Sequence, residues 1–410
     1  MEEQKRVEVI QRVFRRELTM AEAAMVLGVS ERHSFRIKAR VKKEGAKGVV
    51  HGNRGRSCKR KLCEKTETEI VELAEGKYRG FNDHHLTEKL KEQEGIKLSR
   101  EKLRQILRSH GIASPRRRRP PKHRTRRERR AAEGMMLQLD GSPHDWLEGR
   151  GPPLTLIGAI DDATSKVPGA FFEEQETSWG YLKLFSDVFR RKGLPHSAYA
   201  DRHSIFWTDR EPSVEEQLEG NRPRTQVGRA LEELGITLIP AGSPQAKGRI
   251  ERLWGTFQDR LVSELRLAGA KSKAEAQAAL ERFLPQHNRQ FAKPALKAEP
   301  AWRKVDPKRL EQTLCFKYPR VVAKDNTVRF EGALFQIPKR SPYLSYANKK
   351  VQVHVLLDGA VEFFCNNVRI AHFDSKTART IGLYRTNGKR GLSTYGPDTT
   401  HPAPLYELPP

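Results

Sequence analysis

Two aspartates and one glutamate in this 410-residue chain have the residue types and settings that metal-assisted phosphodiester chemistry needs. Asp140 closes the apolar run Met136-Leu137-Gln138-Leu139, and Asp201 closes Ala198-Tyr199-Ala200. Glu251 ends Ser243-Pro244-Gln245-Ala246-Lys247-Gly248-Arg249-Ile250-Glu251, which reads as a turn opening a helix with its acid pointing outward. Two strand-borne aspartates followed by a helix-borne glutamate give the all-oxygen ligand set of a two-metal site. Such a site activates an attacking oxygen and stabilises the leaving one. The expected cofactor is Mg2+, two ions per site, with Mn2+ able to substitute. Other acids nearby are read differently. Asp161-Asp162-Ala163-Thr164-Ser165 is turn chemistry between strands, and Asp145 and Glu148 lie in the turn after Asp140.

The elements that must position the three acids are legible from apolar runs. Met136 to Leu139, Leu154 to Ile160 and Val167 to Phe172 suggest three successive antiparallel strands, with Gly141-Ser142-Pro143 as a turn after the first. A helix from Ser178 to Arg191, a short strand ending at Asp201, a helix from Gln226 to Leu234 and a strand from Ile236 to Ile239 follow. The Glu251 helix then runs to about Leu267. Trp254 is read as core packing on it. His144, Arg202 and His203 flank the acids, with structural and substrate-facing roles both open.

Charge points to the class of partner. The 77 Lys and Arg against 51 Asp and Glu give a net charge of +26. Residues 1–135 hold 37 Lys and Arg against 19 Asp and Glu, so most of the excess lies in the N-terminal third. An anionic polymer is the expected partner, namely double-stranded DNA. No apolar run approaches a membrane span and no signal peptide precedes the first helix, so a cytoplasmic, nucleoid-associated protein with no membrane partner is expected. Cys58, Cys63, Cys315 and Cys365 are too scattered for a disulfide framework and read as reduced thiols; a zinc site at Cys58, Cys63 and His51 lacks a completing pair.

Within residues 1–48, helical spacing at Val7, Ile10 and Phe14, a short helix from Thr19 to Leu27, the turn Gly28-Val29-Ser30 and a helix from Glu31 to about Lys43 give a helix-turn-helix pattern. Ala24, Leu27, Val29, Phe35 and Ile37 are the expected core. Arg32, His33, Arg36 and Arg40 are expected to face a DNA groove. A second helical module, residues 62–113, ends in a helix capped by Ser99. It buries Leu103, Ile106 and Leu107 and exposes Arg100, Lys102, Arg104 and Arg108. Residues 51–61 read as a tether. The linker 114–134 includes Arg116, Arg117, Arg118 and Arg119 and is expected to lie along phosphates.

The motifs Leu139-Asp140-Gly141-Ser142-Pro143-His144-Asp145-Trp146, Ala200-Asp201-Arg202-His203-Ser204-Ile205-Phe206 and Ser243 through Gly255 occur in the order found in one family. The chain resembles the bacterial insertion-sequence transposases of the DDE and retroviral-integrase superfamily, those grouped as ISNCY. The 49 residues between Asp201 and Glu251 exceed the spacing usual in the integrase subgroup, and the polar stretch Thr208 to Arg224 reads as an insertion. The resemblance implies an RNase H-like core over residues 135–268, matching the element order above. In that core Asp140 would bridge two metals, Asp201 hold one and Glu251 the other. Lys247 lies on the Glu251 face of its helix and is expected to hold a DNA phosphate, with Gln245 nearby.

Residues 269–303 read as a bridging helix that Pro285 should end or kink. Alternation at Val351, Val353, Val355 and Leu357 and the turn Asp358-Gly359 suggest a small β-barrel over residues 304–373, similar to the C-terminal barrel of related transposases. Residues 374–410 read as an extended or disordered tail. The expected fold is therefore multidomain: all-α helix-turn-helix modules, a central α/β RNase H-like core, and a C-terminal barrel. The expected function is a transposase that binds the terminal inverted repeats of its element, cuts there, and joins the 3′ ends to target DNA as a homodimer or larger assembly. A sequence-specific repressor with a non-catalytic core is the alternative, and an RNA–DNA hybrid nuclease is disfavoured by the two helical modules.

Overall fold

The computed structural model describes residues 2–50, 62–115, 120, 127–212, 214–218, 222–242, 248–339 and 345–381. The chain divides into two compact units, residues 1–69 and 70–410.

In the first unit, α1 (Glu2–Phe14), α2 (Met20–Leu27) and α3 (Glu31–Glu44) are followed by a 3-10 turn, Gly45–Val49. Thr19 caps α2 in a reciprocal capping box with Glu22, and Gly28 ends it at φ 62°, where a side chain would be strained. Ile10, Ile37, Val41 and Val49 form one apolar cluster, and Val9, Val13 and Ala23 a second. Two residues expected inside are outside: Phe14 is 41% exposed and Phe35 54%. The cause is helical phase. Ser34, Ile37 and Val41 set the buried face of α3, and Phe35 falls two residues from Ile37, on the far side. Arg32, Arg36 and Arg40 are all exposed, four residues apart, and so form one stripe.

Helix α4 (Glu64–Glu75) crosses the division between the units, and α5 (Asp83–Gln93) and α6 (Arg100–Ser109) follow. Ser99 caps α6, which buries Leu103, Ile106 and Leu107. Arg100 and Arg104 are exposed, with Arg104 held by Glu101. Arg108, expected to be displayed, is instead committed to Asp83 at 2.7 Å and to the Ile112 carbonyl.

The core of the second unit is a five-stranded sheet in the order β3-β2-β1-β4-β5. Its strands are β1 (Met136–His144), β2 (Leu154–Asp161), β3 (Gly169–Glu173), β4 (Ser197–Ala200) and β5 (Thr237–Pro240). β1, β2 and β3 pair antiparallel, whereas β4 and β5 run parallel to β1. Helices α7 (Ser178–Lys192), α8 (Val214–Leu218), α9 (Gln226–Glu233), α10 (Gly248–Leu267) and α11 (Lys273–Phe291) complete this layer system. Leu137, Leu139, Ala198 and Ala200 pack with α7 and α9. Leu154, Leu156, Ile160 and Phe172 pack with α10 and α11 on the other face.

Two local expectations change here. Gly141-Ser142-Pro143 is strand, not turn, because β2 pairs β1 as far as His144 opposite Leu154. Pro143 is tolerated because β4 pairs only with Met136 to Gln138, leaving the other edge of β1 open at Pro143. Pro285 also fails to end its helix, which continues to Phe291. Tertiary contacts hold the second half of α11: Asn288 bonds both the N–H and the carbonyl of Val167, and His287 packs on Phe257 of α10.

The second helical module is docked on this core through α5. Lys89 and His85 both reach Glu264 of α10 at 2.7 Å, Arg260 meets Glu88 at 2.6 Å, and Asn82 donates to Asp259 at 2.6 Å.

After α12 (Pro307–Thr313) come β6 (Phe316–Val321), β7 (Thr327–Phe330), β8 (Ala333–Gln336), β9 (Lys350–Val355), β10 (Val361–Cys365) and β11 (Val368–Phe373). Among the described residues these strands do not close into the expected barrel. They form an open sheet, β11-β10-β9-β6, and a separate β7-β8 ribbon. The ribbon packs face-on, with Phe335 against Phe363 and Phe373, instead of pairing with a sheet edge. The Asp358-Gly359 turn links β9 to β10, with Gly359 at φ 86°. Residues expected in the tail begin with a helix, α13 (Ser375–Ile381), whose Ala378 is buried. No helix among the described residues is long and apolar enough to cross a membrane.

His287 gives a test of this packing. Burial, with a smaller contribution from the Arg260 charge, pushes its imidazole down to about 4. The unfolded chain protonates this ring near 6.5, so its contribution to stability is complete above pH 6.5 and lost as pH falls toward 4. His287→Leu is expected to remove about 3 kcal/mol of acid sensitivity. Denaturant titrations at pH 7 and pH 4 measure it, and an unchanged difference between the two would contradict this burial.

Candidate active site

The parallel pairing of β1 with β4 brings the two aspartates to one level. Met136, Leu137 and Gln138 lie opposite Ser197, Ala198 and Tyr199, and the same register extended by two residues sets Asp140 beside Asp201. Parallel partners point to the same face. Leu139 and Ala200 face α7 and α9, so Asp140, inside β1, faces the α10 side, and Asp201 is the first residue past β4.

Helix α10 reaches this point through Trp254, whose Nε1–H donates to Asp140 Oδ2 at 3.0 Å. Trp254 is therefore both buried in the α10 cluster and a hydrogen-bond donor to the acid. Its ring fits because Gly158, directly across from Asp140, has no Cβ; one built there would lie 2.9 Å from the indole. Glu251 is exposed in the first turn of α10, three residues before Trp254. A three-residue step keeps both on neighbouring parts of one helix face. Among the described residues, no three His, Cys, Asp or Glu side chains are gathered closely enough to hold a metal ion, so the three acids share a region without forming a closed coordination shell.

Sequence reasoning passed over a fourth acid. Glu176 precedes the Thr177 cap of α7, and Tyr181 donates to its Oε1 at 2.5 Å. Its carboxylate lies against Gly141, where any side chain would overlap it. Burial raises the Glu176 carboxyl above the usual range; Tyr181 and His203 oppose that shift, and the negative charges of Asp140 and Asp201 add to it. The only signal in the sequence was the glycine after Asp140.

The remaining expected residues fall out as follows. Asp161 is a turn residue, accepting from Gly134 N and from Thr164 N and Oγ1. Asp162 is far more than a turn residue: it is fully buried and pairs with Arg127 and Arg249. Glu148 pairs with Arg150 and Arg266. His144, Arg202 and His203 are exposed, and Asp201 Oδ1 accepts from His203 N at 3.2 Å. Lys247 and Gln245, with the rest of Ser243 to Lys247, lie outside the described residues, as do Arg116, Arg117, Arg118 and Arg119 and the cysteine–histidine pair Cys58 and His51. Cys63, Cys315 and Cys365 are free thiols.

A protein of Sinorhizobium fredii named as a transposase, y4bF, is 34% identical over 359 residues, covering 87% of this chain and 77% of that protein. This chain belongs to the transposase family. The transposase for insertion sequence IS1202 of Streptococcus pneumoniae is 28% identical, covering 98% of this chain and 93% of that one. No protein-family model matches the chain. Among solved structures, a simian T-cell lymphotropic virus intasome in complex with a PP2A regulatory subunit aligns over 74% of this chain and 99% of its own, with TM-score 0.30 and 15% identity. The HTLV-2 integrase catalytic core domain in complex with magnesium aligns over 36% of this transposase and 84% of its own chain, with TM-score 0.26 and 17% identity.

The donor chemistry of these residues would suit a divalent metal. Asp140, Asp201 and Glu251 offer only oxygen, and the charges of Asp140 and Asp201 add to the burial that raises the Glu176 carboxyl. Oxygen ligands of this kind suit hard divalent cations such as Mg2+, Mn2+ and Ca2+.

Glu176 also predicts a pH effect. Its raised proton affinity means that ionising it costs the fold stability; the cost is absent below pH 4.5 and grows as pH rises. In a chelating buffer Glu176→Gln should melt above the wild type at pH 8, with the gap closing toward pH 4.5. A mutant that melts below wild type across that range would contradict the burial of a strained charge.

Proposed function

We propose that this chain binds the terminal inverted repeats of its own insertion sequence, cuts DNA strands there, and joins the freed 3′ ends to target DNA. The observation that carries this reading is the register that sets Asp140 beside Asp201, with Trp254 tying Asp140 to the helix of Glu251. Asp140, Asp201 and Glu251 are the proposed catalytic residues and metal ligands. Asp140, Asp201 and Glu251 would hold magnesium, which would supply Lewis-acid activation of the attacking oxygen and neutralise charge on the leaving one.

The chain's own residues do the rest. Trp254 fixes one oxygen of Asp140 and with it the orientation of that carboxylate. In the first step water attacks phosphorus in line and the strand's 3′ oxygen leaves as a hydroxyl. In the second, that hydroxyl attacks a target phosphate and a target 3′ oxygen leaves in turn. Arg32, Arg36 and Arg40 would read the terminal repeat from the groove, while Arg100, Arg104 and Arg116 to Arg119 would hold phosphates, with Lys247 beside the acids. Both ends must be held at once, so the working form is a homodimer or larger assembly on DNA in the bacterial nucleoid. A repressor with an idle core is disfavoured, because it has no need for two acids at one level in adjacent parallel strands.

Asp140→Asn, Asp201→Asn and Glu251→Gln each keep shape and remove a ligand charge. Each is expected to lower cleavage of terminal DNA in magnesium by about a thousandfold or more, with binding to the same duplex nearly unchanged in gel-shift titrations. Wild-type cleavage by any of them removes that residue from the site.

Recognition is separable from chemistry. Replacing Arg36 and Arg40 by alanine is expected to reduce the preference for terminal over random duplex by about tenfold or more. Equal weakening on both duplexes would instead assign the pair to phosphate contact.

A further inference from the structure

Asp162 is completely buried where β2 ends, and its carboxylate gathers donors from three places in the fold. Oδ1 accepts from Gln138 Nε2 at 2.8 Å, from Arg249 Nη1 at 2.6 Å and from the Arg127 guanidinium. Oδ2 accepts from the backbone N–H of Arg130 at 2.8 Å. Gln138 lies two residues before Asp140 on β1 and shares its face. Arg249 lies two residues before Glu251 in the first turn of α10. One carboxylate therefore joins the strand of the first proposed catalytic acid to the helix of the last.

The contacts are not equivalent. The Arg249 side chain is 11% exposed and also donates from Nη2 to the Arg127 carbonyl at 2.8 Å, so it is fixed at two points. Arg127 is 37% exposed and belongs to the arginine-rich segment, so it is the partner that can exchange for a phosphate. A buried carboxylate that loses one guanidinium holds the other more strongly, because its charge cannot be left uncompensated. Helix α10 is thus pinned to β1 on both sides of Glu251: at Arg249 through Asp162 and Gln138, and at Trp254 through Asp140. A helix held at two points on different sides of its axis cannot roll without breaking one of them.

We infer that Asp162 is a positioning residue for strand cleavage, setting the direction of Glu251 through Arg249. The inference rests on the proposed roles of Asp140 and Glu251. It differs from simple stabilisation because it predicts a loss of rate in complexes that still form.

The test is single-turnover cleavage in magnesium by the full chain, with protein saturating over a duplex that carries the end of its element, beside the affinity for that duplex in a chelator. Asp162→Asn and Arg249→Ala are expected to slow cleavage by about tenfold or more with affinity held within about twofold. Arg249→Lys, which keeps the charge, should recover most of the rate. Arg127→Ala should weaken binding and slow the saturated rate less than Arg249→Ala does. If Asp162→Asn fails to fold, Arg249→Ala decides, because Arg127 still neutralises the carboxylate there. Wild-type rates for Arg249→Ala beside an inactive Glu251→Gln overturn this inference alone, as does an Arg127→Ala rate as low as that of Arg249→Ala. Wild-type cleavage by Glu251→Gln overturns the reading of the site and this inference with it.

Discussion

The short parallel pairing of β1 with β4 is the constraint on which the rest of the second unit depends. Only three residue pairs define it, from Met136 opposite Ser197 to Gln138 opposite Tyr199. Parallel neighbours cannot be joined by a tight turn, so the chain must leave β1, build β2, β3 and α7, and return. A sheet with parallel strands at its centre has to be covered on both faces, and α7 with α9 and α10 with α11 provide that cover. The same pairing decides which side chains are neighbours where Asp140 lies mid-way along β1 and Asp201 follows β4.

Gathering acids at one place costs electrostatic energy, and the surrounding residues manage it in specific ways. Gly158 makes room for the indole that hydrogen-bonds Asp140, and Gly141 makes room for Glu176. Tyr181 holds one Glu176 oxygen but does not lower its proton affinity to normal, because burial outweighs that bond and the charges of the two aspartates add to the shift.

The large basic excess is likewise divided between structure and surface. Arg249, Arg260 and Lys89 are committed to buried carboxylate networks that join α10 to the end of β2 and to α5. Arg229 and Lys317 seat the C-terminal strands on α9 through Glu233, with Gln226 bonding both backbone groups of Lys317. Arg32, Arg36, Arg40, Arg100 and Arg104 remain on the surface. Net charge therefore overstates the number of side chains available to a polyanion, and exposure identifies the available ones.

What the sequence determined by itself is local. The order of strands and helices, the cap at Ser99, the turn at Asp358-Gly359 and the acids at the ends of apolar runs all depend on residues within a few positions of one another. The tertiary structure alone decided what depends on distant partners. β1 continues through Pro143 because β2 lies beside it, α11 passes Pro285 because Asn288 and His287 are held from outside, and Arg108 is withdrawn to Asp83. Phe35 turned outward because the buried phase of α3 was set by Ile37 and Val41. Glu176 and Asp162 show the limit most clearly. Neither has a local signature, since Glu176 acts on strands that lie elsewhere in the chain and Asp162 meets Arg249 across 87 positions. Periodicity and capping are written in adjacent residues, whereas the cost of burying a charge is met by whichever donors the fold brings to it.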